Sequence, residues 1–298
     1  MLSSHTVTRV LIFELLVALV TAAVLMDMRA HLRAEQLHGP NMRGFRGPLR
    51  IRPTGQARVA LLGGSAAYGF GVDYQASLAF NVESAVNQGW RTAYPGYRTD
   101  VVNLAAVGDG AASYITTLGD YAYLNPDIVC IYDGYAPASA SGTVGVRHSS
   151  RFFTTTGYMP ILPYVFAAPP PWDARDRAAV DPFLIDGAGG DVSCAGGSHA
   201  WCTAMLDTVE WSLAHGMKVL VATPPYVSKR HELQQLSLVE ALDDRFGGDP
   251  RMRHVNVAAD VDLHDAANSS DGVYLTKRGN QVAGEHVADA VFKLLAPQ

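Results

Sequence analysis

Ser65 has the setting of a nucleophile. It follows Gly63-Gly64 at the end of the apolar run Ala60-Leu61-Leu62. A hydroxyl at the carboxyl end of a buried strand faces the crevice where open α/β sheets bind ligands, and two glycines permit the tight turn that would expose it. Serine is a weak nucleophile until a positioned base takes its proton. Three cysteines lack metal-ligand spacing, and the chain calls for neither a metal nor a cofactor. Cys130 lies in Ile128-Val129-Cys130-Ile131 and reads as a buried thiol. Cys194 and Cys202 bracket a glycine-containing loop that can close as a disulfide in an oxidising compartment or stay open in a reducing one.

The elements that would hold these groups alternate in type. Apolar runs at 58–62, 99–103, 127–132, 217–222 and 253–257 predict strands. Helical patterning at 76–88, 111–124, 200–215, 229–246 and 278–295 falls around them. Near-continuous apolar strands separated by amphipathic helices predict an α/β three-layer sandwich around a parallel sheet of about five strands. Residues 136–199 fit no element and read as an irregular insertion. Its Phe152, Phe153, Tyr158, Tyr164, Phe166 and Trp172 argue for a packed cap or partner surface.

The loops leaving the strands, taken together, resemble the blocks of the SGNH (GDSL-type) hydrolases. Gly63-Gly64-Ser65 with Tyr68-Gly69 comes first, then Asn103-Leu104 leading to Gly108, then Tyr132-Asp133-Gly134-Tyr135. The last is Asp271-Gly272-Val273-Tyr274-Leu275-Thr276 with Gly279-Asn280. The stretch from Gly157-Tyr158-Met159-Pro160 onward is similar to that of membrane-anchored bacterial members. The resemblance spans residues 58–295 and implies a flavodoxin-like SGNH fold with Ser65 as nucleophile. It also implies Gly108 as an oxyanion-hole N–H donor and Asp271 as the carboxylate that orients the base.

Two positions depart from the family pattern. Ala136 stands where the pattern has the oxyanion asparagine, and Tyr274 stands where it has the base histidine. Loss of one oxyanion donor typically costs about 10²–10³ in rate. Loss of the base of a serine triad costs on the order of 10⁶. A phenol titrates near 10 and at neutral pH donates a proton instead of accepting one. The expectation is an intact fold around a broken triad, unless His148, His231 or His264 reaches Ser65 directly or through one water.

The chain begins differently. Residues 10–26 are apolar except for Glu14 and Thr21, about 25 Å of helix, at the short end for a membrane span. A cleaved signal peptide and a retained anchor both fit. Glu14 within the run, and no small-x-small site before the charged segment after it, favour a retained transmembrane helix over residues 1–28. Glu14, Ala18 and Ala22 recur at i, i+4, i+8 and would form one face suited to a second membrane helix. A Gly/Pro-rich basic connector is expected over 29–57, and the hydrolase-like domain over 58–298.

Of the net charge of −5, residues 1–58 carry +5 and the remainder −10. An acidic body is a poor phosphate-backbone binder, which excludes nucleic acid as the expected partner. Arginines flanking the apolar run lean toward a cytoplasmic body. The potential disulfide, and the usual placement of the anchored proteins it resembles, lean toward an extracytoplasmic, periplasmic one. The expected function is a catalytically silent binding or structural subunit of a membrane assembly. It would meet an integral-membrane partner through the helix and residues 150–172. The alternative is a membrane-anchored serine esterase or O-acyl hydrolase/transferase acting through Ser65 on an acylated carbohydrate, lipid or small ester.

Overall fold

The computed structural model describes residues 4–36, 38–49, 56–134, 150–162, 192–194 and 200–296. Five parallel strands form one sheet: β1 (Gln56–Leu62), β2 (Arg98–Asn103), β3 (Ile128–Tyr132), β4 (Lys218–Thr223) and β5 (Met252–Asn256). Their order is β2-β1-β3-β4-β5, with Val59 opposite both Val101 and Ile128, and Cys130 opposite Leu220. Val59, Ile128, Ile131 and Val219 are fully buried, as expected of strands covered on both faces.

The body's helices are α2 (Ser65–Tyr68), α3 (Leu78–Ala93), α4 (Tyr114–Asp120), α5 (Arg151–Thr156), α6 (Ala200–Ala214), α7 (Lys229–Phe246) and α8 (Lys277–Leu295). They follow α1 (Ser4–Gln36). α3 and α8 pack together so closely that a Cβ on Gly284 would stand 2.5 Å from Asn81 Cβ. α6 contacts α4 and α7 in the other layer. Side-chain caps start three long helices: Ser77 Oγ accepts from Phe80 N, Ser228 Oγ from His231 N, and Thr276 Oγ1 from Gly279 N.

Besides α5, a short helix capped by Ser150 inside the 136–199 stretch expected to hold no element, two elements differ from expectation. The helix expected over 111–124 is three pieces: a 3₁₀ turn at Ala111–Ser113, α4, and a second 3₁₀ turn at Ala122–Leu124. The last ends on Asn125 in the left-handed region. The second difference is at α1, which continues to Gln36 instead of giving way to an irregular connector at residue 29. No glycine or proline intervenes before Gly39, and Asp27, Ala30, His31 and Ala34 form a buried stripe at helical spacing. α1 is long and apolar enough over His5–Gln36 to cross a membrane.

Asp27 makes the tightest of these contacts. Its Oδ1 accepts the N–H groups of Ile161 and Leu162 at 2.9 and 2.6 Å, and its Oδ2 accepts the Tyr158 hydroxyl. The His31 ring adds Nε2 to the Met159 carbonyl at 2.7 Å. The Gly-Tyr-Met-Pro stretch therefore holds the end of the apolar helix. Of residues 150–172, the portion 163–172 lies outside the described residues, as does most of the 136–199 insertion.

Candidate functional site

β1 runs into Gly63, whose φ is +155°. A Cβ there would lie 2.2 Å from the Tyr132 carbonyl oxygen and 2.5 Å from Ala67 Cβ, so only glycine fits between the ends of β1 and β3. This close approach turns the chain and starts α2 with Ser65, which is partly exposed. Ser65 Oγ accepts the N–H of Gly108 at 3.4 Å. Gly108 itself needs the left-handed conformation, at φ +75°. The hydroxyl and one N–H donor implied by the family resemblance thus stand together, at the ends of neighbouring strands.

The turn after Ser65 is held from three sides. Phe70 N donates to the Ser65 carbonyl at 3.0 Å. Buried Asn103 donates through Nδ2 to the carbonyls of Ala67 and Tyr68, at 3.1 and 3.3 Å. Arg46, 2% exposed, donates to the carbonyls of Tyr68, Gly69 and Val72. It also sits over the Tyr68 ring and forms an antiparallel bridge with Asn103. Its burial pulls the guanidinium pKa down, opposed by nearby Tyr68, Tyr74 and Asp73. Sequence reasoning missed Arg46, because an arginine in a Gly/Pro-rich basic stretch reads as solvated.

The loop that should supply the base is built differently. Asp271 Oδ1 accepts the N–H groups of Val273 and Tyr274 at 3.0 and 2.8 Å, and the Ser269 hydroxyl at 3.3 Å. These are turn-forming bonds within the loop. Tyr274 leans on Phe70 with ring centroids 5.1 Å apart, so this loop does border the serine turn. The residue it presents there is a phenol.

Among the described residues, no imidazole nitrogen is hydrogen-bonded to Ser65 Oγ. His264 is exposed and paired with Asp262 at 2.9 Å. His231 is fully buried and packs against Gly134, where a Cβ would stand 2.8 Å from its Nε2. Its Nδ1 accepts from Val227 N, and its Nε2 lies 3.2 Å from Gln235 Nε2. Ala136 and His148 lie outside the described residues.

Asp133, at the end of β3, is a second group that sequence reasoning left without a role. It is buried, and burial raises its pKa to about 6 against the opposing hydrogen bonds from Trp201, Gly134 and Tyr114. Trp201 Nε1 donates to its Oδ2 at 3.1 Å. Cys194 and Cys202 are joined as a disulfide with Cα atoms 5.3 Å apart. Cys130 is a buried free thiol, its pKa pushed up to about 12 by burial.

No protein-family model matches the chain, and no curated protein matches it. Solved structures do. A family 3 carbohydrate esterase from Clostridium thermocellum aligns with TM-score 0.50 and 11% identity, over 81% of this chain and 100% of that one. A lipase/acylhydrolase from Enterococcus faecalis aligns at TM-score 0.47 and 11% identity, over 81% and 98% of the two chains. A lipolytic protein of the G-D-S-L family from Desulfitobacterium hafniense aligns at 0.45 and 12%, over 78% and 98%. The chain has the SGNH-type hydrolase fold, a five-stranded parallel α/β sandwich.

Proposed function

We propose that this is a single-pass membrane protein whose SGNH-type body is catalytically silent and serves as a binding or structural subunit of a membrane assembly. The observation that carries this is Tyr274. The loop that borders the serine turn offers a phenol against Phe70, while Asp271 spends Oδ1 on its own turn. Without a proton acceptor, the Ser65 hydroxyl is a weak nucleophile whatever N–H faces it.

The remaining parts of the proposal have separate supports. Retention of α1 is supported by the grip of residues 158–162 on Asp27 and His31, which makes the end of the helix part of the body's packing. The Cys194–Cys202 bridge supports an extracytoplasmic body. Glu14, Ala18 and Ala22 fall on one face of α1. They are the proposed contact with a partner's membrane helix, since an intramembrane carboxyl is costly unless paired.

Restoring the family's two groups tests the silence of the site. Tyr274→His combined with Ala136→Asn should raise hydrolysis of a short-chain nitrophenyl ester by about 10²-fold or more. The increase should vanish when Ser65→Ala is added. No increase, in a variant whose thermal stability matches the parent, would show that the pocket has lost more than these two groups. For the partner, Glu14→Leu should leave the protein in the membrane fraction yet lose its co-purifying protein. Unchanged co-purification would remove the helix face from the proposal.

A further inference from the structure

The position of Asp27 locates the body relative to the lipid. Residues 10–26 supply about 25 Å of apolar helix, whereas a hydrocarbon core of about 30 Å takes roughly 20 residues. The very next residue, Asp27, is 5% exposed inside the body. No spacer separates span from body, so whatever surrounds Asp27 stands at the membrane boundary.

The surroundings of Asp27 are aromatic and cationic. Tyr158, hydrogen-bonded to Asp27, meets the Phe152 ring at 6.0 Å. Phe152 is 55% exposed although it is a large apolar side chain. Thr156, one turn further along α5, donates to the Phe152 carbonyl at 2.6 Å, and its own carbonyl accepts from Arg43 at 3.2 Å. The Arg43 guanidinium covers the ring of Tyr123, which is as exposed as Phe152. Arg151 is exposed on α5. On α1 beyond Asp27, exposed Met28 and Leu32 alternate with exposed Arg29 and Arg33, and Glu35 is the acid on that turn. Aromatic rings mixed with arginines, on a chain whose remaining residues carry net negative charge, match the composition of a bilayer interface.

We infer that the face bearing Phe152, Tyr123, Arg43 and Arg151 lies on the surface of an anionic phospholipid membrane. Phe152 enters the interface, and the guanidinium groups, with those of Arg29 and Arg33, meet lipid phosphates. Each such arginine adds attraction to an anionic surface. The body is therefore laid flat against the bilayer instead of swinging on a tether. This rests on α1 being a retained span.

The test is depth-dependent quenching on the full-length chain in liposomes of phosphatidylcholine, with or without phosphatidylglycerol. Cys130 is buried and the other two cysteines are bridged, so a polarity-sensitive thiol dye goes to an introduced cysteine. Three sites are compared: Val17→Cys in the helix, Phe152→Cys on the inferred face, and Lys293→Cys on α8. Lipids carrying a nitroxide near the headgroup should quench Phe152→Cys about twofold or more over Lys293→Cys. Adding phosphatidylglycerol should increase the difference, and Arg43→Glu with Arg151→Glu should abolish that increase. If Val17→Cys is quenched by deep nitroxides but Phe152→Cys behaves like Lys293→Cys, the body stands off the membrane and the inference falls while the anchor survives. If Val17→Cys is also unquenched, the anchor itself is wrong. If Phe152→Cys is shielded only when a co-purified protein is present, the face belongs to a protein partner and the lipid assignment is overturned.

Discussion

The serine turn and the Asp271–Asn280 loop meet at Phe70 and Tyr274, yet they differ in what they have kept. In the serine turn, most of the family's residues also serve the backbone. Gly63 fills a gap that no Cβ could enter, and Asn103 binds the carbonyls at the end of α2. In the other loop the same division runs residue by residue. Thr276 caps α8, and a Cβ on Gly279 would stand 2.3 Å from the Asn268 carbonyl oxygen. Asn280 holds the carbonyls of Leu275 and Thr276 at 3.0 and 3.1 Å, and Asp271 ties the turn. Position 274 sets a phenol against Phe70 within this same frame. The serine turn thus holds a hydroxyl among backbone-holding residues, and the other loop holds a phenol among its own.

The largest effect that could break this distinction is at Gly63. Gly63→Ala must open the junction of β1 and β3 against a backbone oxygen, and should cost about 4 kcal/mol or prevent folding. Thermal denaturation of the purified protein measures it, and a loss below about 1 kcal/mol would show that the turn is not the fixed point described. Arg46→Met removes charged donors from three carbonyls and should cost about 3 kcal/mol. Its Phe70–Tyr274 contact should loosen as well, seen as faster hydrogen exchange at 66–72 with little change in β4.

Asp133 sharpens the comparison through pH. Its pKa in the fold is about 6, raised from 3.8 by burial, so the folded state holds a proton that the unfolded state has released. Stability from this group is therefore fully present below about 4 and declines as pH rises toward 6. The decline is on the order of 2–3 kcal/mol. Asp133→Asn should flatten the wild-type decrease in melting temperature across that window. An unaltered slope would assign it to other carboxylates. The smallest effect is Asp271→Ala, which loses a turn-capping acceptor and should cost about 1 kcal/mol. On the proposed reading, any ester hydrolysis should stay at the parent's level, because Asp271 Oδ1 serves its own turn.

Much of this was legible in the residues because it rests on local pattern. Four buried strands announce themselves as apolar runs, β5 is a half-buried edge strand, and the Gly-Gly-Ser turn follows from where the first run stops. The family blocks implied Ser65 beside Gly108 and a phenol at the base position. What escaped depends on contacts distant in sequence. Arg46 is buried by carbonyls 22 to 26 residues away, and Asp27 by amides more than 130 residues away. Neither carries a local sign distinguishing it from a solvated charge. The continuation of α1 to Gln36 escaped for a related reason: its arginines read as connector, while the buried stripe of Asp27, Ala30, His31 and Ala34 has meaning only against the body it touches. The left-handed stop after residue 124 had a weak sign in Asn125.

The central claim is that Ser65 has kept its place but not its reactivity. Labelling the purified full-length protein with a fluorophosphonate probe measures that reactivity at a single atom. Incorporation far below one probe per chain, with ester turnover identical in the parent and Ser65→Ala, is the predicted result. Stoichiometric modification of Ser65 together with turnover that disappears in Ser65→Ala would contradict it.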